Sequence, residues 1–125
     1  MLDFRGLHLN NKEPVYLQIA LYIKRQILLN KAVNGDKLPS RREIAAQLNI
    51  NPNTVQKAFK LMEEEGFVHT GGNQGSVIYT DETILSRIED ELTRDMVREF
   101  IESAKEIHLS FKKVIDLVSE LWEEE

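Results

Sequence analysis

The segments LPSRREIA, residues 38–45, and NPNTVQKA, residues 51–58, are typical of two short helices joined by a tight turn. Ser40 stands three residues before Glu43, the spacing of a capping box, in which each side chain accepts a hydrogen bond from a free backbone N–H of the first turn. In the second segment, Asn51 is a favoured N-cap and Pro52 is favoured at the first helical position. The pair predicts a helix-turn-helix unit.

The second helix is predicted to bury one face and to expose the other. Val55, Ala58, Phe59 and Met62 recur at helical spacing and face inward, and Gly66 is placed to end the helix. The exposed face carries polar side chains, namely Asn53, Thr54, Gln56, Lys57 and Lys60. Asn and Gln form paired hydrogen bonds with adenine, and Lys reaches phosphate or guanine. The alternative is an ordinary amphipathic helix with a solvated polar face, but two capped helices with a short turn favour DNA binding.

Residues 67–70 and 76–80 are rich in β-prone side chains, and the glycine-rich residues 71–75 between them tolerate positive φ. This pattern predicts a β-hairpin directly after the second helix, which would make the unit a winged helix. A glycine-rich tip lets the backbone approach a phosphate or the minor groove closely. A plain surface hairpin has the same composition, so this signal depends on its position in the chain.

A further helix is predicted ahead of this unit, with Pro14 at its first position. Its inward stripe is expected to consist of Leu17, Ala20, Ile23 (or Lys24), Ile27 and Leu28. Lys24, Arg25 and Lys31 are expected outside. A turn at Asn34-Gly35 follows, and the alternating apolar residues within 2–9 predict a short strand or an arm.

Residues 81–125 contain no glycine or proline, and apolar residues recur there every three or four positions. They predict a long amphipathic helix and, after an N-cap at Ser110, a shorter one. Two such helices cannot bury their apolar faces alone, so we expect a symmetric homodimer with a four-helix core. The residues expected at this interface are Leu92, Met96, Phe100, Ile107, Phe111, Ile115, Val118 and Trp122. Folding of the tail back onto its own N-terminal domain is the alternative.

The charges are divided unequally along the chain. Residues 1–80 carry 10 Lys/Arg and 7 Asp/Glu, a net charge of +3, whereas residues 81–125 carry 6 and 14, a net charge of −8. This asymmetry fits a domain that meets phosphate and a second region kept away from it. An acidic tail that only aids solubility would give the same division.

Four segments together resemble the GntR family of bacterial transcription regulators: EPVYLQI (13–19), GDKLPSRREIA (35–45), NPNTVQKA (51–58) and EGF (65–67). The resemblance covers about residues 10–80, and the NPNTV turn and the short C-terminal region are similar to the YtrA-like branch. It implies that Arg42 contacts DNA, that Thr54 touches the phosphate backbone, and that Ser76 lies at the wing. The complete set of predicted DNA-binding residues is Ser40, Arg41, Arg42, Asn51, Asn53, Thr54, Gln56, Lys57, Gly75 and Ser76.

The chain departs from the family pattern at three positions. Many members carry arginine where this chain has Pro52 and Gln56, so the operators of those members cannot be transferred to it. Asn73 replaces the first glycine of the usual wing motif, although asparagine tolerates the left-handed region.

The predicted fold class is mainly α with a small β-hairpin: a winged helix-turn-helix DNA-binding domain at residues 1–80 and a two-helix dimerisation tail at residues 81–125. The predicted function is that of a cytoplasmic transcription regulator, a repressor that binds a palindromic double-stranded DNA operator as a homodimer. Half-sites would follow the duplex repeat of about 34 Å. The alternative function is a winged-helix protein-interaction module without sequence-specific DNA binding.

Other classes of protein are disfavoured by the composition. The chain has no cysteine, its three histidines are far apart, and it shows no motif for catalysis, metal binding or a cofactor, so an enzyme is not expected. No apolar run approaches the ~20 residues needed to cross a membrane, and no signal peptide is evident. The 45 tail residues are too few to enclose a metabolite in one subunit, which leaves a small-molecule effector between the tails of a dimer as an open alternative.

Overall fold

The computed structural model describes residues 2–124, except for the side chain of Gln74. Its elements, in chain order, are α1 (Val15–Leu28), α2 (Arg41–Leu48), α3 (Pro52–Glu65), β1 (Val68–Thr70), β2 (Ser76–Ile78), α4 (Glu82–Glu106) and α5 (Phe111–Trp122). A short 3-10 turn, Gly72–Gln74, lies between the strands. The predicted fold class, mainly helical with one small hairpin, is confirmed. The chain forms two compact units, one that runs to Ile88 and one that starts at Glu89.

Local capping explains where α2 and α3 begin and end. The Ser40 hydroxyl accepts from the Glu43 N–H at 3.1 Å, and the Glu43 carboxylate accepts from the Ser40 N–H at 3.1 Å, so the predicted capping box is present. Asn51 caps α3, and Gly66, with a φ of 90°, ends it in the left-handed conformation. Asn49, with a φ of 55°, closes the turn between the helices.

The core of the first unit is built around the inward face of α3. Val55, Ala58, Phe59 and Met62 are all buried, as predicted, and α3 packs against both α1 and α2. Complete burial of a side chain the size of Val, Phe or Met stabilises a fold by ~1.5–3 kcal/mol. This face therefore fixes the rotation of α3 about its own axis.

The predicted inward stripe of α1 was partly wrong. The helix begins at Val15, after Pro14 as N-cap, and its buried apolar residues are Ile19, Ala20, Ile23 and Ile27. Leu17 and Leu28 are 39% and 37% exposed. Positions 19, 23 and 27 lie four residues apart and define the buried face, so Leu17 and Leu28 project to one side of it.

Lys24 is predicted both as the alternative to Ile23 in the inward stripe and among the outside cations, and the structure buries both Ile23 and Lys24. Only 5% of the residue is exposed, and its Nζ lies 2.8 Å from a carboxylate oxygen of Glu65. The same ammonium lies 5.6 Å from the centroid of the Phe67 ring. A lysine can be buried here because a carboxylate from the end of α3 compensates its charge.

The hairpin is antiparallel, with Val68 opposite Ile78 and Thr70 opposite Ser76. A third segment pairs with the other edge of β2. The Leu38 N–H donates to the Ser76 carbonyl at 3.0 Å, and the Ile78 N–H donates to the Asp36 carbonyl at 2.8 Å. The sequence predicted only a turn in this region, at Asn34-Gly35. The additional pairing attaches the chain just ahead of α2 to the hairpin.

The N-terminal residues form an arm that packs on α1, and within the described residues they form no strand. Leu2 and Phe4 are buried, and the rings of Phe4 and Tyr22 lie 5.4 Å apart. The Tyr22 hydroxyl donates to the Asp3 carbonyl at 3.0 Å. Of the two predictions for residues 2–9, the arm is therefore confirmed.

The first two turns of α4 belong to the first unit. Ile84 and Ile88 are buried, and the Arg87 guanidinium donates to the Glu65 carbonyl at the end of α3. Asp81 accepts from the Ile84 N–H at 2.8 Å, which caps the start of α4.

The second unit consists of the rest of α4 and of α5, which begins after the predicted N-cap Ser110; its hydroxyl accepts from the Lys113 N–H. Ala104 is the only buried residue in the described part of this unit. Phe111 and Trp122 are 80% and 76% exposed. Among the described residues, no helix is long and apolar enough to span a membrane.

The conformation of Gly66 leads to a stability prediction. Gly66→Ala should lower the free energy of unfolding by about 1–2 kcal/mol, because an alanine at a φ of 90° is strained. Gly71 is the matched control: its φ of 179° is ordinary extended backbone, and an added Cβ meets nothing within 4 Å. Gly71→Ala should be neutral or slightly stabilising. Urea denaturation of both variants provides the measurement, and equal losses would contradict this explanation.

Candidate nucleic-acid interface

The outer face of α3 presents a row of polar side chains to solvent. Asn53, Gln56, Lys57 and Lys60 are exposed, and Thr54 is half-buried. Their direction follows from the opposite face, which the core holds in one orientation. α3 therefore offers amide donors and acceptors beside cations, the combination that suits base edges and phosphates.

Asn51 has a structural task at the start of this helix. Its side-chain oxygen accepts from the Asn53 N–H at 2.8 Å, and its backbone carbonyl accepts from the Thr54 N–H at 3.0 Å. The oxygen is thus committed to the cap, and the side-chain NH₂ group is what remains for an external partner. That Asn51 reads a base stays a prediction.

The two arginines at the start of α2 differ in their surroundings. Arg41 is half-buried, with its guanidinium carbon 4.6 Å from the centroid of Phe59 and its Nε buried without a hydrogen-bond partner in the described part of the protein. Arg42 is exposed and makes no ion pair with any described residue. Arg42 is therefore the more accessible cation, and Arg41 is the more restrained one. Ser40, which precedes them, holds the capping box with its side chain.

Lys57 also lies against an aromatic ring. Its Nζ is 4.2 Å from the centroid of Tyr16, in the first turn of α1. Helical periodicity predicts Lys57 on the surface, but no local pattern predicts a role for Tyr16. The pair is distant in sequence, so only the packing of α1 against α3 brings the two side chains together.

The tip of the wing is open, whereas the residue after it is enclosed. Gly75 is exposed, with a φ of 72°, and its carbonyl accepts from the Gly71 N–H at 3.3 Å. Ser76 is only 8% exposed, and its hydroxyl lies 2.6 Å from that of Thr70. In the structure, the Ser76 side chain therefore links the two strands of the hairpin. Contact between this side chain and DNA stays a prediction.

Three side chains, whose contacts no local sequence pattern predicts, link the base of the wing to the start of α4. The rings of His69 and Tyr79 are stacked, with centroids 4.4 Å apart and planes 12° from parallel. The Tyr79 hydroxyl donates to Asp81 at 2.8 Å, which raises the pKa of Tyr79. The Ile84 N–H and, next, the Tyr79 hydroxyl lower the pKa of Asp81, so this carboxylate stays charged and keeps its cap at neutral pH.

The first unit thus brings together the start of α2, the outer face of α3 and the hairpin. Arg42, Lys57 and Lys60 are exposed, and none of them is paired with a carboxylate in the described part of the chain. Unpaired cations beside a row of amides form a surface that attracts a polyanion. Within the described residues, no group of three or more His, Asp or Glu side chains is arranged to hold a metal ion.

The sequence is similar to those of known bacterial transcription regulators. The family of bacterial regulatory proteins called gntR matches residues 15–78. The HTH-type transcriptional regulator YhcF of Bacillus subtilis is 37% identical over 106 residues, which cover 85% of this chain and 88% of YhcF. The HTH-type transcriptional repressor YtrA of the same organism is 32% identical over 110 residues, 86% of this chain and 84% of YtrA.

The fold is found in solved structures as well. A GntR family transcriptional regulator from Listeria monocytogenes superposes with a TM-score of 0.78 at 28% sequence identity, over 90% of this chain and 98% of that one. The similarity therefore extends beyond the winged helix into the C-terminal helices.

Two substitutions distinguish the capping role of Asn51 from its predicted contact with DNA. Asn51→Ala should lower the free energy of unfolding by about 1 kcal/mol, because the Asn53 N–H loses its acceptor. Asn51→Asp preserves the acceptor and should keep wild-type stability, although its added negative charge should weaken binding to duplex DNA. Urea denaturation and fluorescence anisotropy with labelled DNA measure the two effects. Wild-type affinity of Asn51→Asp would show that this position lies away from DNA.

Proposed function

Because this chain belongs to the gntR family of bacterial regulatory proteins, whose members are DNA-binding transcription regulators, we propose that it is a cytoplasmic repressor that binds a palindromic operator as a homodimer. The observation that carries the proposal is the exposed amide-and-cation face of α3, held outward by a completely buried opposite face. The similar YtrA is named a transcriptional repressor, which supports the direction of regulation. No catalytic activity is proposed.

We assign the contacts by chemistry. Arg42, Thr54, Lys57 and the wing at Gly75 would hold the phosphate backbone, because cations and a hydroxyl suit phosphate oxygens and a glycine at the tip lets the backbone approach them closely. Arg41 would also contact the phosphate backbone, but its guanidinium is held against the Phe59 ring and extends less far from the protein surface. Bases would be read by Asn53 and Gln56, with the NH₂ group of Asn51 beside them.

The proposed division of the chain gives residues 1–80 to DNA binding and residues 81–125 to dimerisation. The second unit supports this role because its apolar side chains are largely exposed in one subunit. Phe100, Val114, Leu117, Val118, Leu121 and Trp122 line a groove of about 680 Å³. A second copy of the tail would cover this groove with the matching side chains of its own helices, as twofold symmetry requires.

The same groove bears on regulation. It lies within one tail, and a second tail would be needed to enclose a ligand there. A small-molecule effector of unknown identity would therefore bind only where two tails pair, and it would shift DNA binding by favouring one arrangement of those tails.

The division between backbone and base contacts is testable by comparing two variants on two DNAs. Arg42→Ala should weaken binding to operator and to random duplex alike and reduce the slope of log affinity against log salt by about 1. Gln56→Ala should cost about 1–3 kcal/mol on the operator and little on random DNA. Fluorescence anisotropy across a salt series measures both.

The control for this comparison is Arg98→Ala, which removes an exposed arginine from the tail and should leave both affinities unchanged. The operator is first selected from the protein's own promoter region by footprinting. A wild-type protein that shifts no duplex at low salt would favour the protein-interaction module instead. Equal losses on both DNAs for both variants would contradict the assignment of Gln56 to bases.

The dimer is tested by placing a charge on the exposed apolar face of the tail. Trp122→Glu and Met96→Glu change side chains that are 76% and 68% exposed in one subunit, so the fold of the subunit should survive. Wild type should sediment at twice the subunit mass of 14.5 kDa, and the double variant at 14.5 kDa. The matched control, Glu120→Ala, changes an exposed polar residue of α5 and should remain dimeric.

The same proteins connect assembly to regulation. With a reporter gene behind the operator, wild type and Glu120→Ala should lower transcription, and Trp122→Glu with Met96→Glu should release it. A monomeric wild type in sedimentation would overturn the dimer, and a reporter activated by wild type would overturn repression.

A further inference from the structure

Tyr16 and Lys57 form a contact between α1 and the outer face of α3. The Lys57 Nζ lies 4.2 Å from the centroid of the Tyr16 ring, well inside the ~6 Å range of cation–π attraction. Lys57 is exposed, and Tyr16 is half-buried in the first turn of α1. The ammonium therefore has the ring on one side and solvent on the other.

The ring restrains the lysine without cancelling its charge. Lysine has a long flexible stem, and ordering it on a ligand normally loses rotamer freedom. An acidic neighbour would order Lys57 but would also compete with a phosphate for the ammonium. Lys57 has no carboxylate within ion-pair distance among residues 2–124. An aromatic ring orders the cation and leaves its full charge for an external anion.

We propose that Tyr16 is a positioning residue for DNA binding: its ring holds the Lys57 ammonium where that group meets a backbone phosphate. The interface then includes the first turn of α1, in addition to α2, α3 and the wing. This inference rests on the proposed function, because it takes the outer face of α3 as the DNA-contacting surface.

The contact itself can be measured without DNA. Protons held over the face of an aromatic ring resonate upfield, so the Lys57 side-chain CH₂ protons nearest Nζ should show this shift in the NMR spectrum of the wild-type protein. Tyr16→Phe keeps the ring and should keep the shift. Tyr16→Leu removes the ring and should return these protons to their ordinary position.

The effect on DNA binding calls for a double-mutant cycle on the selected operator. Tyr16→Leu should weaken binding by about two- to fivefold, the range for an exposed cation–π contact. In a Lys57→Ala background the same change should cause no further loss, because the group that Tyr16 positions is absent. Tyr16→Phe should bind within twofold of wild type. Circular dichroism and thermal melting check that each variant is folded, and Tyr16→Met replaces Tyr16→Leu if the latter unfolds.

The outcomes separate this proposal from the proposed function. Equal losses on removing the ring in the wild-type and the Lys57→Ala backgrounds, or a loss in Tyr16→Phe as large as in Tyr16→Leu, would overturn the positioning role while leaving DNA binding intact. An unshifted Lys57 signal in the wild type would overturn it as well. A wild type that binds no DNA would overturn the proposed function first and the role of Tyr16 with it.

Discussion

The structure of the first unit depends on the burial of one face of α3, while the opposite face stays exposed to solvent. Val55, Phe59 and Met62 are almost completely excluded from solvent, and they fix the helix against α1 and α2. Because a helix turns about 100° per residue, fixing these positions also fixes the directions of Asn53 and Gln56. The core thus supplies the orientation, and the exposed side chains supply the chemistry.

Packing also determines how the charged groups are presented. Phe59 belongs to the core, yet its ring lies beneath the guanidinium of Arg41 at the surface. Lys24, in contrast, is buried, and the carboxylate of Glu65 compensates its charge there. The net positive charge of residues 1–80 is therefore divided between cations that hold the fold and cations that remain available to a polyanion. In the tail, few side chains are buried within one copy, and the second copy that we propose would cover its apolar faces.

Short-range physical chemistry made much of this architecture predictable from the sequence. The capping box at Ser40, the cap at Asn51 and the left-handed Gly66 place the ends of α2 and α3 through interactions within a few residues. Likewise, the glycine-rich tip and the N-cap Ser110 mark the hairpin and the start of α5. The exposed row on α3 followed from periodicity, since a helix with one apolar face must turn its polar residues outward.

Contacts between residues far apart in the sequence were decided only by the tertiary structure. No local pattern shows that Lys24 meets Glu65, that Lys57 rests on Tyr16, or that the chain around Lys37 pairs with β2. The burial of Ser76 is likewise not evident from the local sequence, because it depends on the neighbours of Ser76 in the sheet. The sequence alone determined the helices, the hairpin and the face that α3 exposes, because capping and periodicity act over a few residues. The partners of its charged and aromatic side chains were set by how the helices pack, which depends on the whole core at once.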